Sequence, residues 1–243
     1  MTEATADNFI REYLSRMADI RGTGGATKET SYYSALENLL NHFGKTPKPQ
    51  VICNGQLRNQ GADNPDFGLY TKSQIQGGEP RKGQIPERGV IEVKGVADST
   101  LLTAKSEQVT KYFGFYRLVL VTNYREFRLI GENANGEPTE LDRYSLAADA
   151  ASFWAMTAKP GPAVQRHGVH FAEFLQRVMM IAAPLVRAED IAWFSVKKGQ
   201  TRCRAYVRAN HIDIAMIQPQ RRCWRQAFHQ QELAPTRPRK GGA

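Results

Sequence analysis

The chain has 243 residues, of which 41% are hydrophobic, and this is enough for one large domain with a packed core. Its formal charge of +9 comes from the end of the chain, because residues 196–243 carry eleven Lys and Arg against two acids, while the other 195 residues carry 22 of each. The longest uncharged apolar run, 178–186, is nine residues long and contains a proline, so no membrane-spanning helix is expected. Three cysteines without CxxC spacing form no disulfide framework, and we expect a cytoplasmic protein.

The apolar spacing along the chain predicts helices and strands in alternation. Glycines within 22–25 are expected to end the first helix, and Thr27 is the expected N-cap of the second. Residues 72–88 are rich in Gly, Gln, Pro and charge, which predicts a long surface loop. In chain order the predicted elements are helices over 7–20 and 27–41, strands over 50–53, 67–70 and 89–94, a helix over 101–116, strands over 118–121, 127–130 and 140–144, and helices over 146–157 and 169–182.

This pattern divides the chain into four segments. An N-terminal helix over 1–21 precedes an α/β core over 22–157, and a helical connector follows over 158–195. Residues 196–243 lose apolar periodicity, which predicts a basic tail that is disordered or non-native. Three interpretations of this tail stay open: an arm that binds phosphates, sequence with no selected role, or a metal site whose spacing matches no zinc signature, formed by Cys203, His211, Cys223 and His229.

Charged residues interrupt one apolar strand of the predicted core. Because residues two apart on a strand share a face, Glu92 and Lys94 project together, while Ile91 and Val93 point to the opposite side. Burying such charges is costly unless they pair with each other or hold an ion. With Asp66 at the start of the preceding strand, the pattern indicates a hydrolytic site that uses a divalent metal.

Carboxylate oxygens are the ligands that a hard cation such as Mg²⁺ prefers, with positions left for water and substrate. Asp66 and Glu92 are the candidate metal ligands, together with the backbone carbonyl of Val93. Lys94 is the candidate to orient the attacking water and to offset charge in the transition state. The alternative is that Glu92 and Lys94 lie on the exposed face of an edge strand, with Asp66 in a turn.

Two predicted helices supply further candidates. Glu29 falls on the apolar stripe of the second helix, so its carboxylate can reach a metal cluster, whereas Glu37 lies at the margin of that stripe. The alternative is that Glu29 only favours the helix dipole. Gln108 and Tyr112 are four residues apart and share a face, from which they could contact a substrate backbone, unless this is an ordinary amphipathic helix.

These residues in combination resemble the PD-(D/E)xK nuclease superfamily, whose motif is matched by Pro65-Asp66 and Glu92-Val93-Lys94. More narrowly, residues 22–190 are similar to the N-terminal nuclease region of fused type IIS and IIG restriction–modification enzymes. The segments that carry this similarity are 28–33, 38–41, 91–95 and 120–125.

The resemblance implies a mixed central β-sheet flanked by helices, and Mg²⁺-dependent cleavage of double-stranded DNA. Asp66, Glu92 and Lys94 would form the catalytic trio, and Glu29 and Gln108 are carried over as further catalytic candidates. Such enzymes continue into an adenine-N6 methyltransferase and a target-recognition domain, and neither is found in the chain. We therefore expect a protein truncated before the methyltransferase, for which a methyltransferase or specificity subunit acting in trans is a candidate partner. The alternative is a catalytically silent remnant that binds nucleic acid or another protein.

Overall fold

A computed structural model of the chain describes residues 3–24, 28–55 and 63–183. Eight strands lie within these ranges. They are β1 (Val51–Gly55), β2 (Phe67–Thr71), β3 (Ile75–Gln76), β4 (Glu79–Pro80), β5 (Val90–Val93), β6 (Val119–Thr122), β7 (Glu126–Glu132) and β8 (Pro138–Ser145).

Six α-helices lie in the same ranges, and two short 3₁₀ helices, Glu29–Tyr32 and Lys72–Gln74, come directly before the second helix and the third strand. None of these helices is long and apolar enough to cross a membrane. The α-helices are α1 (Glu3–Gly22), α2 (Tyr33–Phe43), α3 (Thr100–Ala104), α4 (Glu107–Tyr116), α5 (Ala150–Ala158) and α6 (Pro160–Met180).

Six of the strands form one sheet in the order β1-β2-β5-β6-β7-β8. The central pair β5–β6 is parallel, and every other pair in this sheet is antiparallel. A parallel pair needs a crossover connection, which α3 and α4 provide between β5 and β6. The predicted α/β fold, a mixed sheet flanked by helices, is confirmed and is consistent with a restriction-endonuclease-like arrangement.

Helices cover both faces of the sheet and bury two separate apolar clusters. The larger cluster joins α1, α2, α5 and α6 to one face and includes Ile91 and Val93. The smaller cluster packs α4 on the other face and includes Val90, Val121 and Tyr112. The alternation along β5 therefore sends its odd-numbered residues into the larger core and its even-numbered residues towards α4, as strand geometry requires.

One predicted helix is two helices in the structure. The pattern over 101–116 predicts a continuous helix, but α3 ends at Ala104 and α4 begins at Glu107. Ser106 explains the division, because its side-chain oxygen accepts a hydrogen bond from the backbone nitrogen of Val109 and caps a new helix. The spacing of apolar residues continues across this break, so it does not predict where α3 ends and α4 begins.

The predicted surface loop over 72–88 is also more ordered than expected. Strands β3 and β4 form a hairpin whose turn is Gly77-Gly78, both with positive φ, which suits a tight two-residue hairpin turn. Gln74 anchors the segment, since its buried side-chain amide donates to the carbonyl of Ile85 at 2.6 Å and accepts from the backbone nitrogen of Glu87 at 3.0 Å.

The end of the described region differs from its prediction at one boundary. Helix α6 begins at Pro160, well before the predicted start at 169, because proline is well suited to the first position of a helix. The described part of the connector thus consists mainly of α6. Thr27, residues 184–195 and the whole tail over 196–243 lie outside the described residues, as do the predictions that concern them.

Candidate active site

The start of β2 lies against the end of β5. These strands pair antiparallel, with Phe67 opposite Ile91, so the residue before Phe67 comes beside Glu92. The backbone nitrogen of Asp66 donates to the carbonyl of Ile91 at 3.1 Å. In return, the backbone nitrogen of Val93 donates to Asp66 Oδ2 at 2.7 Å. Strand pairing therefore brings together Asp66 and Glu92, which are far apart in the chain.

Glu92 and Lys94 form an ion pair on the α4 side of β5. Lys94 Nζ donates to Glu92 Oε1 at 2.6 Å, and the Glu92 side chain is 2% exposed while that of Lys94 is 32% exposed. Glu92 is thus buried on a central strand, which excludes the alternative of an exposed edge-strand face. The Lys94 side chain is partly exposed to solvent.

The protonation of Glu92 is governed mainly by its burial and then by the charges around it. Burial, with contributions from Asp66 and Glu29, raises the pKa of Glu92 to about 7, although the hydrogen bond from Lys94 acts in the opposite direction. Burial alone would lower the pKa of Lys94, but its bond to Glu92 and the charges of Glu29 and Asp66 raise it. The site therefore holds more negative charge than its single lysine balances.

Asp66 is held by a tyrosine as well as by backbone. The hydroxyl of Tyr33, the first residue of α2, donates to Asp66 Oδ1. The Tyr33 ring packs on Phe67 with the ring centroids 4.9 Å apart. Burial is the main cause that raises the pKa of Tyr33, and the hydrogen bond to Asp66 raises it further. The hydroxyl group consequently keeps its proton at any physiological pH and can donate this hydrogen bond.

Glu29 lies at the start of the 3₁₀ helix that leads into α2, not within an α-helix as predicted. Its carboxylate is close enough to raise the pKa values of Glu92 and Tyr33. The hydroxyl of Tyr124 donates to the backbone carbonyl of Glu29 at 2.5 Å, which ties this turn to the β6–β7 connection. Glu37, the carboxylate at the margin of the predicted stripe, instead lies near Cys53 of β1. Burial raises the pKa of the Cys53 thiol, and the charge of Glu37 raises it further.

Gln108 lies on α4, which covers the face of the sheet where Glu92 projects. Its Nε2 donates to the hydroxyl of Tyr112 at 2.8 Å, as their spacing of four residues allows. Burial raises the pKa of Tyr112 to about 12; the Gln108 hydrogen bond opposes this shift, and the charges of Glu92 and Asp66 add to it. The pair is therefore within electrostatic reach of both carboxylates.

The donor set suits a hard divalent cation. Asp66 and Glu92 offer carboxylate oxygens and Val93 offers a backbone carbonyl, and these are the ligand types that Mg²⁺ takes in proteins. A bound cation would favour the ionised form of Glu92, whose pKa is raised chiefly by burial. Within residues 3–24, 28–55 and 63–183, no group of three or more His, Cys, Asp or Glu side chains is arranged around a common metal position. The site would thus supply two carboxylates, and water and substrate would complete the coordination.

Comparisons with known proteins add little to this geometry. No family model matches the chain, and no curated protein matches it. A solved cryoEM structure of a DrdV–DNA complex is similar at 20% sequence identity, with a TM-score of 0.43. The similarity covers 63% of this chain and 14% of that one, so the chain spans a small part of the other's length.

No role at the site was predicted for Tyr33, which is four residues after Glu29 and therefore on the same apolar stripe of the second predicted helix. Its ring does pack in the core, but its hydroxyl reaches the carboxylate of Asp66. No role was predicted for Tyr124 either, although it lies in the segment 120–125 that carries the resemblance. A tyrosine where a helix stripe otherwise carries aliphatic residues is the available clue, because a buried hydroxyl needs a hydrogen-bond partner.

Proposed function

We propose that this chain is a Mg²⁺-dependent DNA endonuclease domain of the restriction type, corresponding to the N-terminal nuclease region of a type II restriction–modification enzyme. The observation that carries the proposal is the convergence of Asp66, Glu92 and Lys94 at the junction of β2 and β5. Two carboxylates and a lysine at one end of a central strand are an expensive arrangement for folding alone. Phosphodiester hydrolysis would require such charges, because they can hold a cation and stabilise the transition state.

Each residue has a role that its surroundings support. Asp66 and Glu92, with the Val93 carbonyl, would hold Mg²⁺, which when bound polarises the scissile phosphate and makes water easier to deprotonate. Lys94 lies beside Glu92 with its side chain partly exposed, and its ammonium group can orient the attacking water and offset phosphate charge. Gln108 can donate to a phosphate or sugar oxygen of the DNA backbone, contacts that position a duplex without reading its sequence.

The test is cleavage of supercoiled plasmid DNA by the purified chain in Mg²⁺ and in Mn²⁺. Asp66→Ala, Glu92→Ala and Lys94→Ala are each expected to abolish cleavage while the circular dichroism spectrum stays native. Glu173→Ala is the matched control, since this glutamate lies on α6 with its side chain 57% exposed, and it should cut like the wild type. If all three site variants still cut, the assignment is wrong.

A second candidate function is a catalytically silent remnant that binds nucleic acid. It is favoured by the ion pair between Glu92 and Lys94, because charges that satisfy each other at 2.6 Å need no bound cation. A gel-shift assay in EDTA separates the two candidates: binding without any cleavage in Mg²⁺ or Mn²⁺ supports the remnant. Repeating the cleavage assay with an adjacent methyltransferase gene product tests whether a partner supplied in trans is needed.

A further inference from the structure

Both oxygens of the Asp66 carboxylate are engaged by donors from different elements. The backbone nitrogen of Val93 on β5 donates to Oδ2 at 2.7 Å, and the hydroxyl of Tyr33 on α2 donates to Oδ1. A carboxylate bonded through only one oxygen can still turn about its Cβ–Cγ bond. Two donors on opposite oxygens fix the plane of the group, and Tyr33 supplies the second.

The segment that carries Tyr33 is itself packed and hydrogen-bonded to other elements. Its ring packs on Phe67, the residue that follows Asp66, with centroids 4.9 Å apart. The 3₁₀ helix before it is anchored through the bond from Tyr124 to the carbonyl of Glu29, and the Tyr124 backbone carbonyl accepts from buried Tyr13 at 2.6 Å. The position of the Tyr33 hydroxyl is therefore fixed by the packing of its ring and of the 3₁₀ helix before it.

The bond leaves Asp66 able to bind a cation. Each carboxylate oxygen has two lone pairs, so an oxygen that accepts one hydrogen bond keeps acceptor capacity. Outer partners of this kind orient metal-ligating carboxylates, and their loss typically weakens metal affinity by about 10- to 100-fold.

We propose that Tyr33 is a positioning residue, which holds the Asp66 carboxylate in the orientation that takes up a divalent cation. This inference depends on the proposed function only for the identification of Asp66 as a ligand. Tyr33 does not contact the reacting atoms in this scheme. It lowers the cost of binding the cation because the ligand is already fixed before the cation arrives.

The test uses Tyr33→Phe, which keeps the ring packed on Phe67 and removes only the hydroxyl. Mg²⁺ affinity is measured by calorimetric titration of the full chain without DNA, and we expect it to fall roughly tenfold. Tyr144→Phe is the matched control, since it deletes a tyrosine hydroxyl that bonds His167 Nδ1 at 3.0 Å away from the site, and its Mg²⁺ affinity should be unchanged. In plasmid cleavage, Tyr33→Phe should need more Mg²⁺ for half-maximal rate but approach the wild-type rate at saturation.

The outcomes separate this inference from the proposed function. Equal Mg²⁺ affinity for wild type and Tyr33→Phe overturns the positioning role even if the wild type cuts DNA. A rate loss that saturating Mg²⁺ does not relieve, with unchanged affinity, also overturns it. Weaker Mg²⁺ binding by Tyr33→Phe in a chain that cuts no DNA supports the positioning role while the proposed nuclease activity fails. A wild type that binds no Mg²⁺ at millimolar concentration overturns the inference together with the proposed metal site.

Discussion

Replacing Glu92 by glutamine is expected to stabilise the metal-free protein at alkaline pH while it removes the activity. The folded protein raises the pKa of Glu92 from 4.5 to about 7, chiefly through burial. Because the folded state binds this proton more tightly than the unfolded chain, the stability that protonation contributes is complete below pH 4.5 and is lost as pH rises through 7. The pKa of Glu92 differs by about 2.5 units between the folded and unfolded states. Relative to the fully protonated protein, the unfolding free energy is therefore lower by about 3 kcal/mol at pH 8, and by about 1 kcal/mol or less at pH 5.

Glutamine has the shape of the protonated acid and no charge to bury. Its carbonyl oxygen can still accept the hydrogen bond from Lys94, although the attraction between opposite charges is lost. The advantage of Glu92→Gln over wild type should therefore grow by about 2 kcal/mol between pH 5 and pH 8, somewhat less than the full linkage value.

The measurement is urea unfolding in EDTA, followed by tryptophan fluorescence at both pH values. Glu79→Gln on the exposed strand β4 is the matched control, and its unfolding free energy should follow the wild type at each pH. A stability difference that does not change with pH, or a variant less stable than wild type at pH 8, would refute the reasoning. Either result would mean that ionised Glu92 costs the fold nothing.

Two further predictions concern the neighbours of the carboxylates. Tyr124→Phe should lower the unfolding free energy by about 1 kcal/mol, because the carbonyl of Glu29 loses its partly buried hydrogen bond, and urea unfolding measures this loss. Tyr144→Phe is the comparison, because it removes a tyrosine hydroxyl at a distance from Glu29. An unchanged unfolding free energy for Tyr124→Phe would show that this bond does not anchor the 3₁₀ helix. Gln108→Ala should lower kcat/KM for plasmid cleavage by about tenfold, the cost of one charge-assisted contact to DNA, with a small fall in melting temperature because the hydroxyl of Tyr112 loses its hydrogen bond. A normal kcat/KM would show that Gln108 makes no contact with the substrate.

Local patterns were sufficient to predict the strand that carries Glu92. A period of two is a property of extended backbone, so the separation of Ile91 and Val93 from Glu92 and Lys94 could be derived before any partner strand was known. The structure places the first pair in the larger core and joins the second pair by a hydrogen bond. The α/β class followed from the same kind of information, repeated along the chain.

Boundaries set by single side chains were harder to predict. The division between α3 and α4 depends on the hydroxyl of Ser106, and the β3–β4 hairpin depends on the positive φ angles of Gly77 and Gly78. Both features are local, yet each competes with a longer pattern that gives a different answer. A helical stripe and a polar loop composition are averages, whereas a cap or a tight turn is decided by one or two residues.

By itself, the amino-acid sequence determined which residues share a face of a strand or helix, and hence that Glu92 and Lys94 stand together. Only the tertiary structure decided that Asp66 lies beside Glu92, since this requires β2 to pair antiparallel with β5. It also decided that the hydroxyl of Tyr33 reaches Asp66. The physical reason is that backbone periodicity is set by neighbouring residues, whereas contacts between distant segments depend on how the whole chain packs.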